Sequence, residues 1–502
     1  MNKKFLLAAT LICAIFLSAC SPQIKTKQPD ITLPPAPLKY QAPGRDEQRK
    51  RVETVKLFVP DKATKQLAAF KTNISLPPNR HPAETVLNNL LSFAGNEEYQ
   101  TLFEERDIST YPGRAVEVSG KTATVNLNAA ALALDSAEMA LLCRSIANTL
   151  CAPGDIQFVN ILVADKQTGI DIAGRFPMGS LMAAKNEEPV WEQPKNDGRF
   201  TLNATLYYPA LLGKGVIPET RAVTFADHSF EKMAEGLLAA LSAKPSEDMQ
   251  ASTFPNIEQL LSEDILVSPA ASGGGQIITL KFLQEANEIL ISYGIPRSVM
   301  AASITLTLCT FLPNIAGVTI YMGDEIINSL SPTSLASGEI NLSFENGLLK
   351  RKDFVPFIAS QIPVFYAYKN NTLKKALVTV PFYESQNIRY IFNTLTQDSS
   401  QFMIAQGLSR ALPDNLSGAD LIGYTIDKDT LLLNFSANFL DRFNGLSFAQ
   451  EQLAVYSIVN TMCCVRGIRH VRFFIAGEQP EYFSKALYLP GEFLYNPAIL
   501  AN

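Results

Sequence analysis

One short pattern occurs three times in this chain and constrains its fold more than any other feature. The pattern begins with isoleucine, carries threonine three positions later and ends on cysteine two positions after that. Its members are Ile146, Thr149 and Cys151, then Ile304, Thr307 and Cys309, then Ile458, Thr461 and Cys463. The spacing between copies, about 155 residues, is too long for a solenoid repeat and matches the size of a domain. The sequence therefore predicts one domain used three times.

Each pattern lies near the end of a predicted helix that has one apolar face. Positions three and four residues to either side of the isoleucine share a helical face with it. The three faces consist of Leu142, Cys143, Ile146, Thr149 and Leu150, of Met300, Ala301, Ile304, Thr307 and Leu308, and of Ala454, Val455, Ile458, Thr461 and Met462. Asp135 with Glu138, and Ser447 with Gln450, have the spacing of a capping box at the start of the first and third of these helices. The pattern residues are therefore predicted to be structural and buried.

The same order of elements is predicted around each pattern. Two extended runs and an amphipathic helix come first, a strand pair precedes the signature helix, and an alternating apolar run follows it. These last runs are Val159, Ile161 and Val163, then Val318, Ile320 and Met322, then Val471, Phe473 and Ile475. The expected fold class is α+β, with three tandem copies of a small ββαββαβ two-layer domain.

The predicted boundaries place three domains between polar segments. They are a signal peptide at 1–20, a proline-rich tether at 21–50, the first copy at 51–182, a linker at 183–199, the second copy at 200–323, a linker at 324–360 and the third copy at 361–495. At 47% hydrophobic residues, the chain has enough apolar surface for several cores.

These features resemble the GerMN domain of the sporulation and spore-germination lipoprotein family GerM. The resemblance is carried by an aromatic opening strand that ends in proline, by the Asp/Asn-containing strand pair, and by the Thr-Leu helix end followed by a strand and Gly or Asp. Two copies show the opening strand in full, as Leu57-Phe58-Val59-Pro60 and Leu206-Tyr207-Tyr208-Pro209, and the third lacks the proline. The resemblance covers roughly 50–180, 200–330 and 360–495, whereas well-known family members carry two such domains.

The resemblance implies a domain similar to the ring-building motifs of secretion-system proteins, which acts between or outside membranes as an assembly part. It implies partners among other envelope or sporulation proteins, and an oligomer or ring is one possible assembly. The formal net charge of −5 gives no electrostatic footprint for nucleic acid, so no nucleic-acid partner is expected.

The N-terminus has the pattern of a bacterial lipoprotein signal. Lys3 and Lys4 precede an apolar run, and Leu17-Ser18-Ala19-Cys20 resembles a lipobox. Cleavage before Cys20 and lipidation of its thiol would anchor the protein to the cell membrane on its extracytoplasmic face. The tether at 21–50 carries six prolines and favours an extended spacer.

A second apolar stretch, 298–323, has no charged residue and would be long enough to span a membrane. Pro313, Asn314 and Gly317 interrupt it where the other copies have their break between helix and strand. We interpret it as the buried helix and strand of the second copy, with a membrane span as the alternative.

No catalytic, cofactor or metal site is predicted. Five cysteines follow Cys20 without C-x-x-C spacing, and free, buried, apolar cysteines are expected at 143, 151, 309, 463 and 464. The three histidines, His81, His228 and His470, occupy unrelated positions in their copies. Asp165, Asp324 and Glu478 recur after the last strand of each copy, but no partner recurs with them, which favours loop residues over general acids or bases.

Three classes of function are compatible with these patterns. A membrane-anchored structural scaffold in a sporulation or germination envelope complex is favoured, and a cell-wall (peptidoglycan) or small-ligand binding lipoprotein is the alternative. An enzyme would need a recurring polar constellation in a pocket, and the sequence predicts none.

Overall fold

The computed structural model describes residues 40–44, 50–103, 106–169, 177–184, 198–271, 274–331, 341–483, 487–488 and 490–501. The chain divides into two units, Met1–Gln41 and Ala42–Asn502, and the second contains all three copies. The predicted signal peptide with Cys20, most of the tether and most of the 183–199 linker lie outside the described residues.

The first copy consists of a long hairpin and a three-stranded sheet, with a helix after each strand pair. Its elements are β1 (Arg51–Pro60), β2 (Leu67–Leu76), α1 (Ala83–Leu91), β3 (Val116–Ser119), β4 (Thr122–Leu127), α2 (Ser136–Cys151) and β5 (Phe158–Val163). Strand β4 pairs antiparallel with β3 and parallel with β5, and α2 is the crossover that the parallel pair requires. The predicted capping box of Asp135 and Glu138 is present at the start of α2.

The second copy repeats this order and then continues. Its elements are β6 (Phe200–Pro209), β7 (Val216–Phe225), α3 (Phe230–Leu241), α4 (Ile257–Leu260), β8 (Leu266–Pro269), β9 (Gln276–Phe282), α5 (Ala286–Ser292), α6 (Arg297–Phe311) and β10 (Ile315–Met322). Again β9 pairs antiparallel with β8 and parallel with β10. The segment that follows contains β11 (Glu325–Ile326), β12 (Ser329–Leu330), β13 (Leu342–Ser343), β14 (Leu348–Leu349) and α7 (Arg351–Phe354).

The third copy has the same arrangement. Its elements are β15 (Ala359–Tyr368), β16 (Thr372–Pro381), α8 (Ile388–Leu395), α9 (Gln401–Ala405), β17 (Leu421–Asp427), β18 (Thr430–Phe435), α10 (Phe448–Met462), β19 (His470–Ile475) and β20 (Phe493–Leu494). Strand β18 pairs antiparallel with β17 and parallel with β19. Ser447 and Gln450 form the predicted capping box of α10.

Each copy has its own hydrophobic core, built where its helices cover its sheets. The three main clusters of buried residues extend from Val55 to Met178, from Phe200 to Ile358 and from Ile362 to Phe493. Helices and several small sheets alternate as predicted, and the α+β fold class is confirmed.

The segment 324–360 differs from the linker that the sequence predicts. Its described residues contribute Phe344, Leu349, Phe354 and Phe357 to the core of the second copy, and β14 pairs with β10. Helix α7 also packs against α6. Because this segment covers one side of α6, nearly every residue of that helix is buried, from Ser298 to Phe311.

The burial of α6 explains the uncharged stretch at 298–323, which is the helix and strand of the second copy as interpreted from the sequence. Within the described ranges, no single helix is long and apolar enough to cross a membrane. The pair α5 and α6 meets that test together by length and composition only, and it is bent by 96°.

Candidate functional site

The repeated isoleucine and threonine lie inside each copy. Ile146, Ile304 and Ile458 have no exposed surface, and Thr149, Thr307 and Thr461 are buried beside them. These six residues therefore belong to the cores of their copies.

The threonines have a common structural role that the sequence alone does not reveal. In each copy the threonine hydroxyl accepts a hydrogen bond from a backbone N–H of the opening strand. The donors are Phe58 to Thr149 at 2.9 Å, Tyr207 to Thr307 at 3.1 Å and Phe365 to Thr461 at 3.2 Å. A serine one turn earlier on the same helix donates to the carbonyl of the same strand residue, in the pairs Ser145 with Phe58, Ser303 with Tyr207 and Ser457 with Phe365.

We call this arrangement the Ser/Thr clamp. Each opening strand is hydrogen-bonded to its hairpin partner along one edge, and the clamp pairs backbone groups on its other edge. The signal was present in the sequence, because a serine directly precedes the isoleucine in all three copies. Sequence reasoning missed it because serine was not part of the pattern that it followed.

The cysteines at 143, 151, 309, 463 and 464 are all free. Cys143 and Cys309 are buried as expected, whereas Cys151 and Cys463 are half-buried and Cys464 is exposed. Burial raises the pKa of the Cys143 and Cys309 thiols to about 12. These two thiols are therefore protonated at neutral pH and are poor nucleophiles.

The histidines and recurring acids remain apart. His228 packs its ring edge against Phe200 in the second copy, and His470 lies 3.5 Å from Asp429 in the third. Asp165 bonds to Asn126 and Arg114 in the first copy, whereas Asp324 and Glu478 are exposed in the corresponding turns. His81 lies at the junction of the first and third copies, beside Asp155 and Arg466.

The first and second copies are joined by a buried ion pair. Arg351, from α7, donates through both terminal nitrogens to Glu117 of β3 at 2.9 and 2.5 Å, and also bonds to Thr310 and to the Tyr207 hydroxyl. The two charged side chains are 2% and 6% exposed. Burial alone would lower the pKa of Arg351, but the Glu117 carboxylate outweighs it and raises that pKa.

Further polar contacts hold the copies together. Asn160 of the first copy donates to Thr205 of the second at 2.9 Å inside the interface. Between the second and third copies, Gln361 donates through its side-chain amide to the Gln250 carbonyl and accepts from the Gln250 backbone N–H. Each of these contacts is buried or partly buried, so the copies form one body.

The first and third copies meet at Arg466, which follows α10. Its guanidinium bonds to Glu53 of β1 at 2.9 and 3.2 Å and to Asp155, just after α2, at 2.6 Å. His81 donates from Nε2 to the same Asp155 carboxylate at 3.2 Å, while its Nδ1 accepts from the Ala83 N–H. We call this group of four side chains the latch.

The latch changes the acidity of its carboxylates. Burial alone would raise the pKa of Asp155, but the hydrogen bond from His81 and the charge of Arg466 lower it to about 2. The pKa of Glu53 is also lowered, because Arg466 and Arg51 outweigh the opposing effect of burial. Both carboxylates are therefore held in the ionised form that pairs with Arg466.

The latch should lose its stabilising effect in acid. Because the pKa of Asp155 is lower in the folded than in the unfolded protein, its contribution is full above about pH 4 and is lost as the pH falls towards 2. We expect Arg466→Met to lower the free energy of unfolding at pH 7, with a difference from wild type that shrinks steadily below pH 4. Denaturant unfolding at pH 7, 5, 4 and 3 measures this difference.

Arg106→Met is the control, because Arg106 belongs to a half-exposed pair with Glu138 inside the first copy. The Arg106→Met substitution should lower the free energy of unfolding only slightly at any pH. A difference between Arg466→Met and wild type that stays constant from pH 7 to pH 3 would contradict the assignment of the latch.

A cleft runs beside the latch between the first and third copies. Its larger cavity has a volume of about 640 Å³, and a smaller cavity of about 320 Å³ adjoins it, with His81 and Val118 lining both. The larger cavity lies between the loop before α1, strand β3 and the turn after β16, and the smaller extends to Asp155, Ser360 and Arg466. The cleft is the candidate functional site.

The described part of the chain contains no group of three or more His, Cys, Asp or Glu side chains placed to hold a metal ion. The cleft is lined instead by a mixture of arginines, carboxylates, amides and hydroxyls. Its walls offer hydrogen bonding to a ligand.

Together, the three cores, the clamps and the interfaces define a multi-copy α+β protein. Residues 363–481, most of the third copy, match the family model Germane, described as sporulation and spore germination. The third copy therefore contains a Germane domain, and through that copy the chain is similar to GerM-like sporulation and germination proteins.

Three solved structures are similar to parts of the chain. The tandem GerMN domains of the sporulation protein GerM from Bacillus subtilis share 17% identity over 60% of this chain and 100% of that one, with a TM-score of 0.23. A putative lipoprotein from Clostridium perfringens shares 16% identity over 27% and 87%, with a TM-score of 0.19. The first GerMN domain of the Bacillus subtilis GerM shares 18% over 26% and 92%, with a TM-score of 0.20. A search of curated proteins gave no match.

Proposed function

We propose that this protein is a non-enzymatic scaffold in an envelope complex of sporulation or germination. In this proposal a lipid on Cys20 anchors it to the extracytoplasmic face of the cell membrane, and the segment 21–50 holds the three copies away from the lipid. Other envelope or sporulation proteins are the proposed partners, and an oligomer or ring is one form the assembly could take. The family match of the third copy supports the sporulation or germination context.

The scaffold proposal rests on the contacts that fix the three copies relative to one another. Each copy contacts the other two, through Arg351 and Glu117, through Gln250 and Gln361, and through Arg466. A body built in this way presents surfaces at fixed separations. Partners that bind such surfaces do not have to order the scaffold first, which removes part of the cost of association.

The anchor and the tether should both be required. Cys20→Ala removes the thiol that lipidation needs, so it should abolish labelling by a palmitate analogue and fail to restore function when the gene has been deleted. Deletion of 21–41 should leave labelling intact but should not restore function, because the copies would be held at the wrong height. If the Cys20→Ala variant were labelled as strongly as wild type, the proposal that a lipid on Cys20 anchors the protein would be wrong.

Two controls separate scaffolding from chemistry. Replacing 21–41, the part of the tether outside the second compact unit, with a proline-rich sequence of the same length should restore function, since the tether is proposed to act through its length. Asp324→Ala and Glu478→Ala change exposed turn residues and should also restore function at normal protein levels. Loss of function in either alanine variant, with the tether deletion harmless, would favour an enzyme.

A second candidate function is binding of a cell-wall or small ligand, and the cleft between the first and third copies favours it. Cavities of about 300 to 1,000 Å³ are typical of ligand sites, and the larger cavity lies within that range at about 640 Å³.

A further inference from the structure

We propose that the cleft between the first and third copies binds a neutral, hydroxyl-rich ligand, and specifically a saccharide. This inference rests on the second candidate function, for which it names the class of ligand. Three features of the cleft carry it: unpartnered polar atoms, an exposed aromatic ring and balanced charge.

The smaller cavity is lined by two residues that carry a buried polar atom without a partner. Ser360 is 4% exposed and its hydroxyl makes no hydrogen bond, and Oδ1 of Asp155 also has none, although its Oδ2 is engaged by Arg466 and His81. A buried polar atom without a partner destabilises a fold and calls for an explanation. Both atoms are buried, so a small rotation of each side chain towards the cavity would be needed for a ligand hydroxyl to donate to the Asp155 oxygen and for another to donate to or accept from Ser360.

The larger cavity provides an aromatic surface. Tyr383 lines it with 47% of its surface exposed, and it stands edge-on to Phe382, which also lines the cavity, at 5.4 Å between ring centroids. Such a ring combines a flat apolar face with a polar hydroxyl. Sugars have the complementary character, with apolar C–H faces and hydroxyl edges.

The charges in the walls nearly cancel. Three arginines and four carboxylates line the two cavities, namely Arg80, Arg114, Arg466, Glu84, Glu117, Glu384 and Asp155. Glu117 is paired with Arg351, Arg114 with Asp165 and Arg466 partly with Glu53, and these three partners lie outside the lining. The walls therefore carry no excess of positive charge that would attract an anion, and their hydrogen-bonding groups favour a neutral ligand.

The test is calorimetric titration of the full chain with the β-1,4-linked tetramer of N-acetylglucosamine. We expect saturable binding to wild type. Ser360→Ala removes a hydroxyl that makes no bond within the protein, so it should weaken binding by about three- to tenfold without lowering the unfolding temperature. Tyr383→Ala should weaken binding by tenfold or more, as loss of an aromatic anchor commonly does.

Thr425→Val is the matched control, because Thr425 in β17 also carries a buried hydroxyl without a partner but lines neither cavity. It should bind the tetramer as wild type does. The saccharide proposal would be wrong if the tetramer showed no saturable binding to wild type. It would also be wrong if the Ser360→Ala and Tyr383→Ala variants bound the tetramer as tightly as wild type does.

A second measurement shows whether the cleft binds a ligand other than a saccharide. Free amino acids and nucleosides are tested for a rise in unfolding temperature of wild type and of Ser360→Ala. If one of them stabilises only wild type while the tetramer does not bind, the cleft is a ligand site and the saccharide inference is wrong. If no probe binds, both the inference and the second candidate function are wrong.

Discussion

Arg351→Ala should lower the free energy of unfolding by about 3–5 kcal/mol, because it leaves the Glu117 carboxylate buried without its partner. The Glu117 side chain is only 6% exposed, so its carboxylate would stay largely desolvated after losing the guanidinium. Thr310 and Tyr207 would also lose a hydrogen bond. Denaturant unfolding followed by circular dichroism measures the loss.

The double variant Arg351→Met with Glu117→Leu shows whether the loss comes from the stranded charge. Apolar side chains of similar size often replace a buried pair at little cost, so the double variant should recover most of the stability. Lys232→Ala is the exposed control: it removes the i,i+3 pair with Glu235 and should cost less than about 1 kcal/mol. An Arg351→Ala protein as stable as the Lys232→Ala protein would show that the pair does not hold the copies together.

Sequence reasoning could not find this pair. Glu117 and Arg351 are 234 positions apart, they do not occupy equivalent places in two copies, and Arg351 lies in a segment that looks like a linker. The periodicity of apolar residues indicates which residues of a helix or strand face the core of their own copy. It does not indicate which element of another copy packs against that helix or strand. Contacts between copies are therefore visible only in the folded chain.

The elements within each copy, in contrast, were predictable because they follow local rules. The alternation of Val159, Ile161 and Val163 has the period of a strand buried on one face, and β5 occupies Phe158–Val163. The apolar face around Ile146 has the period of a helix, and α2 extends over Ser136–Cys151. These patterns arise from burial against the copy's own core and need no information from the rest of the chain.

The segment 324–360 shows where that local reasoning failed. Ser, Thr, Gly and Asn are scattered through it, which is typical of a loop, and its strands are only two residues long. The sequence feature that indicates packing against a folded domain is the set of phenylalanines at 344, 354 and 357, which are buried in the core of the second copy. Residues that cover a neighbouring helix need no periodicity of their own.

The cleft was unpredictable for the same reason as the ion pair. Its lining comes from the first copy, from the end of the 324–360 segment and from the third copy, and His81 and Asp155 reach it from turns. His81 drew attention in the sequence only as a histidine without an equivalent. Its lack of an equivalent is consistent with a junction formed mainly by the first and third copies.

Removing the threonine of a Ser/Thr clamp should also lower the free energy of unfolding. Thr307→Val keeps the shape of the side chain but removes the oxygen that accepts from the Tyr207 N–H, in a region where Tyr207 is 1% exposed. A buried donor left without a partner costs about 1–3 kcal/mol. We expect Thr307→Val to lower the free energy of unfolding by that amount, and Thr149→Val and Thr461→Val to have similar effects in their own copies. Denaturant unfolding measures all three.

The same helix provides a matched control. Thr305, two residues before Thr307, is equally buried, but its hydroxyl has no partner, so Thr305→Val removes a polar atom that bonds to nothing. This variant should be as stable as wild type or more stable, although the chemical change is identical. Equal losses at 305 and 307 would mean that the β-branched shape or the burial of the side chain matters, and that the hydrogen bond to the strand does not. A loss confined to Thr307 would instead show that the repeated threonine stabilises the opening strand, which is a structural reason for its recurrence in all three copies.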